Sequence, residues 1–369
     1  MGSARLAVTT LGSVALACFA LLACKKGGPA PAPSASAAPS AAPVSFEEQV
    51  KQSAPLAFNP APQTAAGKTV QATLCKFPGA GLLDRSASKV IQALEVVGER
   101  LLVVDAKGVL HGFKLSTTGG CTLTVDGSFG AGGTLTLERP IEHLSKADSG
   151  LVMASGIFGS YALEDGRRVY DCKATGDFEL AASGKWGIVP WVNSTVEYVE
   201  LTRSSCKSKD WALKDLSDAA KRKGPFTNVN TAAIVGDKIY LGGVLAEKVE
   251  GREPRVVIIF DKAGRELGRF GDPGKGFGDD SFGWVHGIAA CGKNLCVVDS
   301  NFRRMSIWST DGKRFIGAVK LDRLFGSPNS VVWTNDVTRA QDGALYISAG
   351  VSRTGGKVAE GHVFRVTGL

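Results

Sequence analysis

Short apolar runs alternate with turns along the chain from about residue 68 to Leu369. The runs are rich in β-branched and aromatic residues and each follows a turn that contains Gly, a pattern typical of antiparallel β-hairpins. Six runs recur at a spacing of about 50 residues, at residues 101–105, 151–153, 186–189, 239–241, 295–298 and 345–347. Another strand is predicted after each run, at residues 109–113, 158–163, 195–201, 256–260, 305–308 and 362–366. The pattern predicts an all-β domain built from a repeated unit.

The clearest unit covers residues 284–320, where four apolar strands follow one another. Gly287 lies in the first strand, Asp299 ends the second, and Asp311-Gly312 forms the last turn. Four short strands in one meander make one blade of a β-propeller. Together with Arg304, these residues occur in the order that NHL repeats use, so the unit resembles an NHL repeat. The resemblance implies an NHL-like propeller.

Six units account for residues 68–369 and predict a six-bladed β-propeller. The last unit ends after its third strand, and a spare strand at residues 70–77 precedes the first unit. This N-terminal strand is therefore predicted to complete the last blade, which closes the ring and leaves no open sheet edge. A sandwich of two sheets also explains the strand content, but it does not explain the repeated register or the spare strand.

The first 24 residues indicate export. The apolar segment at residues 6–20 is short and is interrupted by Thr, Gly and Ser, which is typical of a signal peptide and not of a membrane-spanning helix. It leads into Leu21-Leu22-Ala23-Cys24, which resembles a bacterial lipobox. The resemblance implies cleavage before Cys24 and acylation of that cysteine. The alternative is an ordinary secretory signal with cleavage elsewhere and no lipid.

The chain is thus divided into a signal peptide at residues 1–23, a lipidated cysteine with a Pro/Ala/Ser-rich tether at residues 24–67, and the propeller at residues 68–369. The tether composition cannot bury enough apolar surface to fold and Pro stiffens it. We expect the protein in the cell envelope, lipid-anchored to the outer membrane and facing the periplasm or the cell surface.

The formal net charge of the chain is +8. In an exported protein this charge meets anionic lipid, cell-wall polymer or lipopolysaccharide, so no nucleic acid partner is expected. Basic residues concentrate at residues 203–223, where Leu213, Leu216 and Ala220 suggest a short helix. This segment is either a solvated insertion or a contact with an anionic surface.

The register of the units places polar residues at one repeated position, the start of each innermost strand. In chain order these residues are Gln92, Glu142, Asp177, Asn230, His286 and Asp336. Innermost strands line the central channel of a propeller, so these side chains are predicted to face one another near one mouth. The candidate metal ligands are Glu142, Asp177, Asn230, His286 and Asp336.

Two interpretations of this ring stay open. Carboxylate and amide oxygens from several blades suit Ca²⁺, whereas His286 with two carboxylates suits Zn²⁺ or iron. Some six-bladed propeller enzymes of this general appearance use such an ion as a Lewis acid in lactone hydrolysis or lyase chemistry. Alternatively, channel mouths are wet and therefore polar whether or not they bind anything. A one-residue slip of register would remove Glu142 or Asp177 from the ring.

No catalytic residue is assigned. The chain contains neither a Gly-x-Ser-x-Gly elbow nor a His-Glu-x-x-His motif. The Gly-rich run at residues 271–278 lacks the spacing of a phosphate-binding loop and is interpreted as a link between blades.

Six cysteines remain once Cys18 is removed with the signal peptide and Cys24 is acylated. An even number in an exported domain favours disulfides. Cys291 and Cys296 flank one hairpin turn and are predicted to pair. The other four allow three connectivities, of which Cys172–Cys206 and Cys75–Cys121 are preferred because each pair joins neighbouring blades; reduced thiols are the alternative.

These features predict a lipid-anchored propeller that acts as a non-catalytic binding or scaffold protein in the cell envelope. Its partner is expected to be an envelope protein, a glycan or a small molecule. The alternative is a metal-dependent hydrolase or lyase that uses the polar ring with Ca²⁺ or Zn²⁺. Fold alone does not decide between them, because propellers host both classes.

Overall fold

The computed structural model describes residues 56–78, 91–147, 150–156, 159–172, 181–183, 186–190, 196–209, 226–249, 253–271, 278–327, 330–353 and 359–369. Within sheet segments near residues 181–198, 208–209 and 330–332 the description is largely of the backbone. Cys24, Asp177 and residues 210–225 lie outside the described residues. The strands belong to one compact unit, Phe46–Leu369.

Two strands come first, β1 (Gln63–Ala65) and β2 (Lys68–Leu74). Sheet 1 then contains β3 (Ile91–Val97), β4 (Arg100–Asp105), β5 (Leu110–Ser116), β6 (Thr122–Val125) and the short β7 (Thr134–Leu135). Sheet 2 contains β8 (His143–Lys146), β9 (Val152–Gly156), β10 (Gly159–Glu164) and β11 (Arg167–Cys172). Sheet 3 contains β12 (Ala181–Ser183), β13 (Trp186–Pro190), β14 (Val196–Leu201) and β15 (Cys206–Lys209).

Sheet 4 contains β16 (Phe226–Val235), β17 (Lys238–Leu245), β18 (Arg255–Asp261) and β19 (Glu266–Phe270). Sheet 5 contains β20 (Val285–Cys291), β21 (Asn294–Asp299), β22 (Arg304–Ser309) and β23 (Phe315–Lys320). A single helical turn, α1 (Leu321–Leu324), leads to sheet 6, which contains β24 (Ser330–Trp333), β25 (Val337–Arg339), β26 (Leu345–Arg353) and β27 (Ala359–Thr367). Every apolar run predicted from the sequence overlaps one of these strands.

The sheets are antiparallel meanders arranged in a ring. The innermost strand of each sheet contacts the innermost strand of the next, in the order β3, β8, β12, β16, β20 and β25, and β25 contacts β3 again. This cyclic order is that of a β-propeller and not of a two-sheet sandwich. The all-β propeller fold predicted from the sequence is therefore confirmed.

The ring is closed by the N-terminal strand, as the sequence predicts. β2 pairs antiparallel with β27 on the outer side of sheet 6, from Gln71 opposite Thr367 to Leu74 opposite Phe364. The interface between sheets 6 and 1 is apolar. Leu94, Val103 and Phe113 of sheet 1 pack there with Tyr346 and Val363 of sheet 6. Chain ends that are far apart in sequence are thus held together by a strand pair and by side-chain packing.

The boundary between tether and propeller lies earlier than residue 68. Residues 56–67 were assigned to the tether, yet β1 pairs with β2, and Phe58 packs edge-on against Phe364 with ring centroids 5.4 Å apart. The Gln63 side chain accepts a hydrogen bond from the Lys320 N–H at 3.0 Å and donates one to the Lys320 carbonyl at 2.6 Å. The polar composition of this segment does not predict a strand. Strand β1 is held by its pairing with β2 and by the Gln63 side chain.

The repeat residues of the clearest unit have structural roles. Asp299, fully buried at the end of β21, accepts hydrogen bonds from the N–H groups of Gly283, Trp284 and Phe302 at 2.6, 3.1 and 3.0 Å. Asp105 ends β4 in the same position and accepts the N–H groups of the turn that follows it. Each aspartate satisfies loop N–H groups that would otherwise be buried without partners.

Candidate functional site

The channel along the ring axis contains a cavity of about 580 Å³. Its walls come from the innermost strands and the turns that follow them in sheets 1, 2, 4, 5 and 6. Many of the lining side chains are small, among them Ala232, Ala233, Ala289 and Ala290. A cavity of this size is in the range of small-molecule binding sites.

Glu95 is the acidic residue on the sheet 1 wall of this cavity. Its Oε1 accepts a hydrogen bond from the Thr338 hydroxyl of sheet 6 at 2.6 Å and another from the Val96 N–H at 2.9 Å. The backbone N–H of Lys146, on sheet 2, also donates to this carboxylate. Glu95 therefore connects the innermost strands of three neighbouring sheets.

Asp336 is the acidic residue on the sheet 6 wall. Its Oδ2 accepts a hydrogen bond from the Leu94 N–H of sheet 1 at 2.9 Å, and its Oδ1 accepts one from the Val337 N–H at 2.7 Å. The Asp336 N–H in turn donates to Ser348 Oγ at 2.9 Å. Asp336 therefore connects sheet 6 to sheet 1 by a hydrogen bond across their interface.

The two acids share an electrostatic environment. Burial raises the pKa of Glu95 to about 7, against the lowering effect of its bonds to Thr338 and Val96 and of the nearby Lys146 charge. Burial also raises the pKa of Asp336 to about 7, and the negative charge of Glu95 adds to this rise. At neutral pH the pair is therefore part protonated, and each acid can both donate and accept hydrogen bonds.

The predicted polar ring is only partly located at this cavity. Asp336 lines it, whereas Gln92, Glu142 and His286 lie at or just before the start of their strands and Asn230 lies within β16, each two residues ahead of the first wall residue of its strand. Within the described part of the chain, no three His, Cys, Asp or Glu residues come together as a metal-ligand group. The described members of the ring do not fit a metal site; the complete set, which includes Asp177, stays a prediction.

His286 is held in an apolar setting. Burial lowers its pKa to about 4, against a smaller opposing effect of the Asp299 charge. The Trp284 ring lies 6.2 Å from the imidazole, and the Arg255 guanidinium lies over Trp284 at 5.4 Å. His286 is therefore neutral at physiological pH.

Sequence reasoning missed Glu95, Lys146 and Thr338. A signal for Glu95 was present, since it is the only charged residue in strand β3, which is apolar apart from Glu95 and Gln92. A carboxylate inside such a strand is rarely buried without partners and so indicates a specific contact. For Thr338 and Lys146 the sequence carries no comparable signal.

The structure contains three disulfides, Cys75–Cys121, Cys172–Cys206 and Cys291–Cys296. These are the predicted pairs. The first joins the segment after β2 to the segment before β6, and the second joins β11 of sheet 2 to β15 of sheet 3. Neighbouring sheets are thus linked covalently at their outer strands.

No family model matches the chain, and no curated protein matches it. Several solved structures are similar. BamB from Moraxella catarrhalis is 11% identical with a TM-score of 0.39, covering 75% of this chain and 84% of BamB. Hydrazine synthase from Kuenenia stuttgartiensis is 14% identical with a TM-score of 0.46, covering 72% and 84%. The Cps50 (Swd1) propeller domain from Myceliophteria thermophila is 11% identical with a TM-score of 0.43, covering 80% and 100%. At these values the similarities support no inference about activity, substrate or partner.

Among the described residues, no helix is both long and apolar enough to cross a membrane.

Proposed function

We propose that this protein is a lipid-anchored, NHL-like, six-bladed propeller of the cell envelope that binds a ligand in its central channel and does not catalyse a reaction. The six sheets and their cyclic contacts support the blade count. The acyl anchor at Cys24 and the outer-membrane location rest on the lipobox-like sequence. The three disulfides are consistent with an oxidising compartment outside the cytoplasm.

The binding function is supported by the structural role of the two channel acids, which connect neighbouring sheets by hydrogen bonds. Glu95 and Asp336 accept hydrogen bonds from Thr338 and Leu94 across the joint between sheets 6 and 1. Both oxygens of Asp336 and Oε1 of Glu95 are therefore engaged in holding the ring, and many of the remaining lining residues have small side chains. Such a wall offers space and hydrogen-bonding groups to a ligand, as binding sites on rigid scaffolds do.

The rival function, a metal-dependent hydrolase or lyase, needs ligands that converge on one ion. Of the described ring residues, Asp336 alone lines the cavity, and both of its oxygens accept backbone N–H groups. Each oxygen therefore has one lone pair fewer for a cation, and a bound cation would compete with the bonds that close the ring. This geometry favours the binding function.

The anchor is tested by metabolic labelling of the full chain with an alkyne analogue of palmitate in a Gram-negative host. The chain itself offers a matched control, because Cys18 lies in the same apolar region as Cys24. We expect label and membrane association in the parent and in Cys18→Ala, and neither in Cys24→Ala. Equal labelling of the Cys24→Ala variant would refute the anchor.

The channel site is tested by filling it. Ala290 lines the cavity, whereas Ala263 lies exposed on a turn of sheet 4. Ala290→Trp and Ala263→Trp are titrated with a defined panel of cell-wall glycan fragments and short peptides, after their thermal transitions are compared with that of the parent. We expect at least one class to bind the parent and Ala263→Trp and not Ala290→Trp. Binding that survives in a folded Ala290→Trp variant would place the site elsewhere.

A further inference from the structure

A second cavity, of about 430 Å³, lies on the outer side of the joint between sheets 5 and 6. We call it the seam pocket. It is formed by the β1–β2 turn, the β20–β21 turn, the start of β23 and the end of the chain after β27, with the residues Ala65, Ala66, Lys68, Cys291, Lys293, Asn294, Ile307, Arg314, Phe315, Ile316, Gly368 and Leu369. The channel cavity shares none of these residues.

The floor of the seam pocket is apolar. Ile307 and the Cys291–Cys296 disulfide are buried beneath it. Ile316, which is half-buried and packs in the same apolar cluster as Ile307, continues the apolar surface outwards along β23. A ligand that fills this volume removes apolar surface from water, which favours binding in proportion to the area covered.

The rim of the seam pocket is cationic. Lys68, Lys293 and Arg314 are exposed around it, and its lining includes no Asp or Glu side chain. Among the described residues, none of these three cations has a carboxylate partner. The nearest acid along the chain, Asp311, is engaged instead by the Ser309 hydroxyl at 2.6 Å and the Lys313 N–H at 3.1 Å. An anionic group bound in the pocket would be attracted by these three cations.

We propose that the seam pocket binds a monomeric anionic amphiphile, an alkyl chain that ends in a phosphate or carboxylate group. The chain would lie on Ile307 and Ile316, and the head group would accept charge-assisted hydrogen bonds from Lys68, Lys293 and Arg314. The enclosed volume suits one molecule at a time and not a bilayer surface. This site goes beyond the channel function and depends neither on that function nor on acylation of Cys24.

The test is calorimetric titration of the full chain with decyl phosphate below its micellar concentration. The probes that separate the two parts of the site are decanol, which lacks the charge, and inorganic phosphate, which lacks the chain. We expect saturable binding of decyl phosphate with a stoichiometry of one, and binding of the other two that is weaker by about ten-fold or more. Equal binding of decanol would remove the role of the cations, and equal binding of inorganic phosphate would remove the role of the apolar floor.

Variants locate the site. Lys293→Gln/Arg314→Gln should weaken decyl phosphate binding by about ten-fold, since each lost charge-assisted bond contributes to affinity. Lys114→Gln/Lys313→Gln removes the same charge from exposed positions outside the pocket and should leave binding unchanged. If both double variants lose affinity equally, the attraction is a general charge effect and the proposal fails. Binding to phosphatidylglycerol vesicles without binding of the monomer would also overturn it.

Discussion

Replacing Glu95 by Gln should stabilise the protein at alkaline pH and leave it almost unchanged at acidic pH. The Gln amide oxygen can still accept hydrogen bonds from Thr338 and Val96, so the substitution removes mainly the charge. An acid whose pKa is raised on folding binds its proton more tightly in the folded state. The stability it contributes is therefore complete below the unfolded pKa of about 4 and is lost as the pH rises to about 7.

The size of the effect follows from that shift. The pKa of Glu95 rises from 4.5 to about 7, and each unit corresponds to about 1.4 kcal/mol, so the charged form costs about 3 kcal/mol above pH 7. Because the side chain keeps some contact with water in the channel, we expect about 2 kcal/mol of this to be recovered by Glu95→Gln at pH 8. At pH 5 the acid is mostly protonated in the folded state and the gain should be small.

The assay is guanidinium denaturation under oxidising conditions, followed by tryptophan fluorescence at pH 5 and pH 8. Glu99→Gln, at an exposed position on the turn after β3, is the matched control and should change neither midpoint. The reasoning is refuted if the stability difference between Glu95→Gln and the parent does not grow from pH 5 to pH 8, or if the control shows the same growth.

Three further predictions concern stability and are measured by the same denaturation assay. Asp299→Ala should cost about 3 kcal/mol or more because three N–H groups lose their acceptor, and Asp299→Asn, which keeps one amide oxygen, should cost less; equal costs would contradict the capping role. Cys75→Ser/Cys121→Ser should lower the free energy of unfolding by about 4 kcal/mol, and Cys291→Ser/Cys296→Ser by about 2 kcal/mol. The paired cysteines are separated by 46 and 5 residues, and a disulfide that closes a longer loop stabilises more. The reverse order of the two losses would contradict this. Gly166→Ala should lower the free energy of unfolding more than Gly236→Ala. Both glycines have positive φ, but a Cβ at Gly166 would lie 2.8 Å from the Phe129 ring, whereas Gly236 faces open space. Equal losses of stability would show that backbone strain alone determines the effect.

The sequence predicted much of the fold because each sheet lies between two neighbouring sheets, so its inner strands are buried on both faces. Such strands appear as continuous apolar runs, and Leu101 to Val104 are at most 2% exposed. Turns with Gly mark where each run begins. Two disulfide pairs followed from the same register, since cysteines at the outer strands of successive units come close together, and the Cys291–Cys296 pair followed from its hairpin turn.

The strand β1 could not be predicted in this way. Its three residues have no apolar pattern, and its position depends on the bonds between the Gln63 side chain and Lys320, far away in the sequence. Local sequence carries no information about such a long-range contact.

The candidate site was predicted less well, for a geometric reason. Innermost strands meet the channel at their edge, so alternation along the strand does not specify which side chains enter it. The register argument therefore chose strand starts such as Glu142 and His286, while the cavity is lined by residues further along, including Glu95. Asp336 was found by both routes because it lies at the boundary between the two positions.

The central claim is that the channel acids connect the sheets of a binding protein and do not bind a catalytic metal ion. Metal analysis tests this claim most directly. The full chain and its Asp336→Asn variant are purified from the envelope without chelator and measured by plasma mass spectrometry after dialysis against Ca²⁺ and Zn²⁺ in turn. The account predicts no stoichiometric metal that depends on Asp336. It also predicts a lower melting temperature for the variant at pH 5, where loss of the charge brings little gain and the single Asn amide oxygen cannot accept both the Leu94 and the Val337 N–H groups. A stoichiometric ion in the parent that is lost in the variant would contradict the account and support the metal-dependent enzyme.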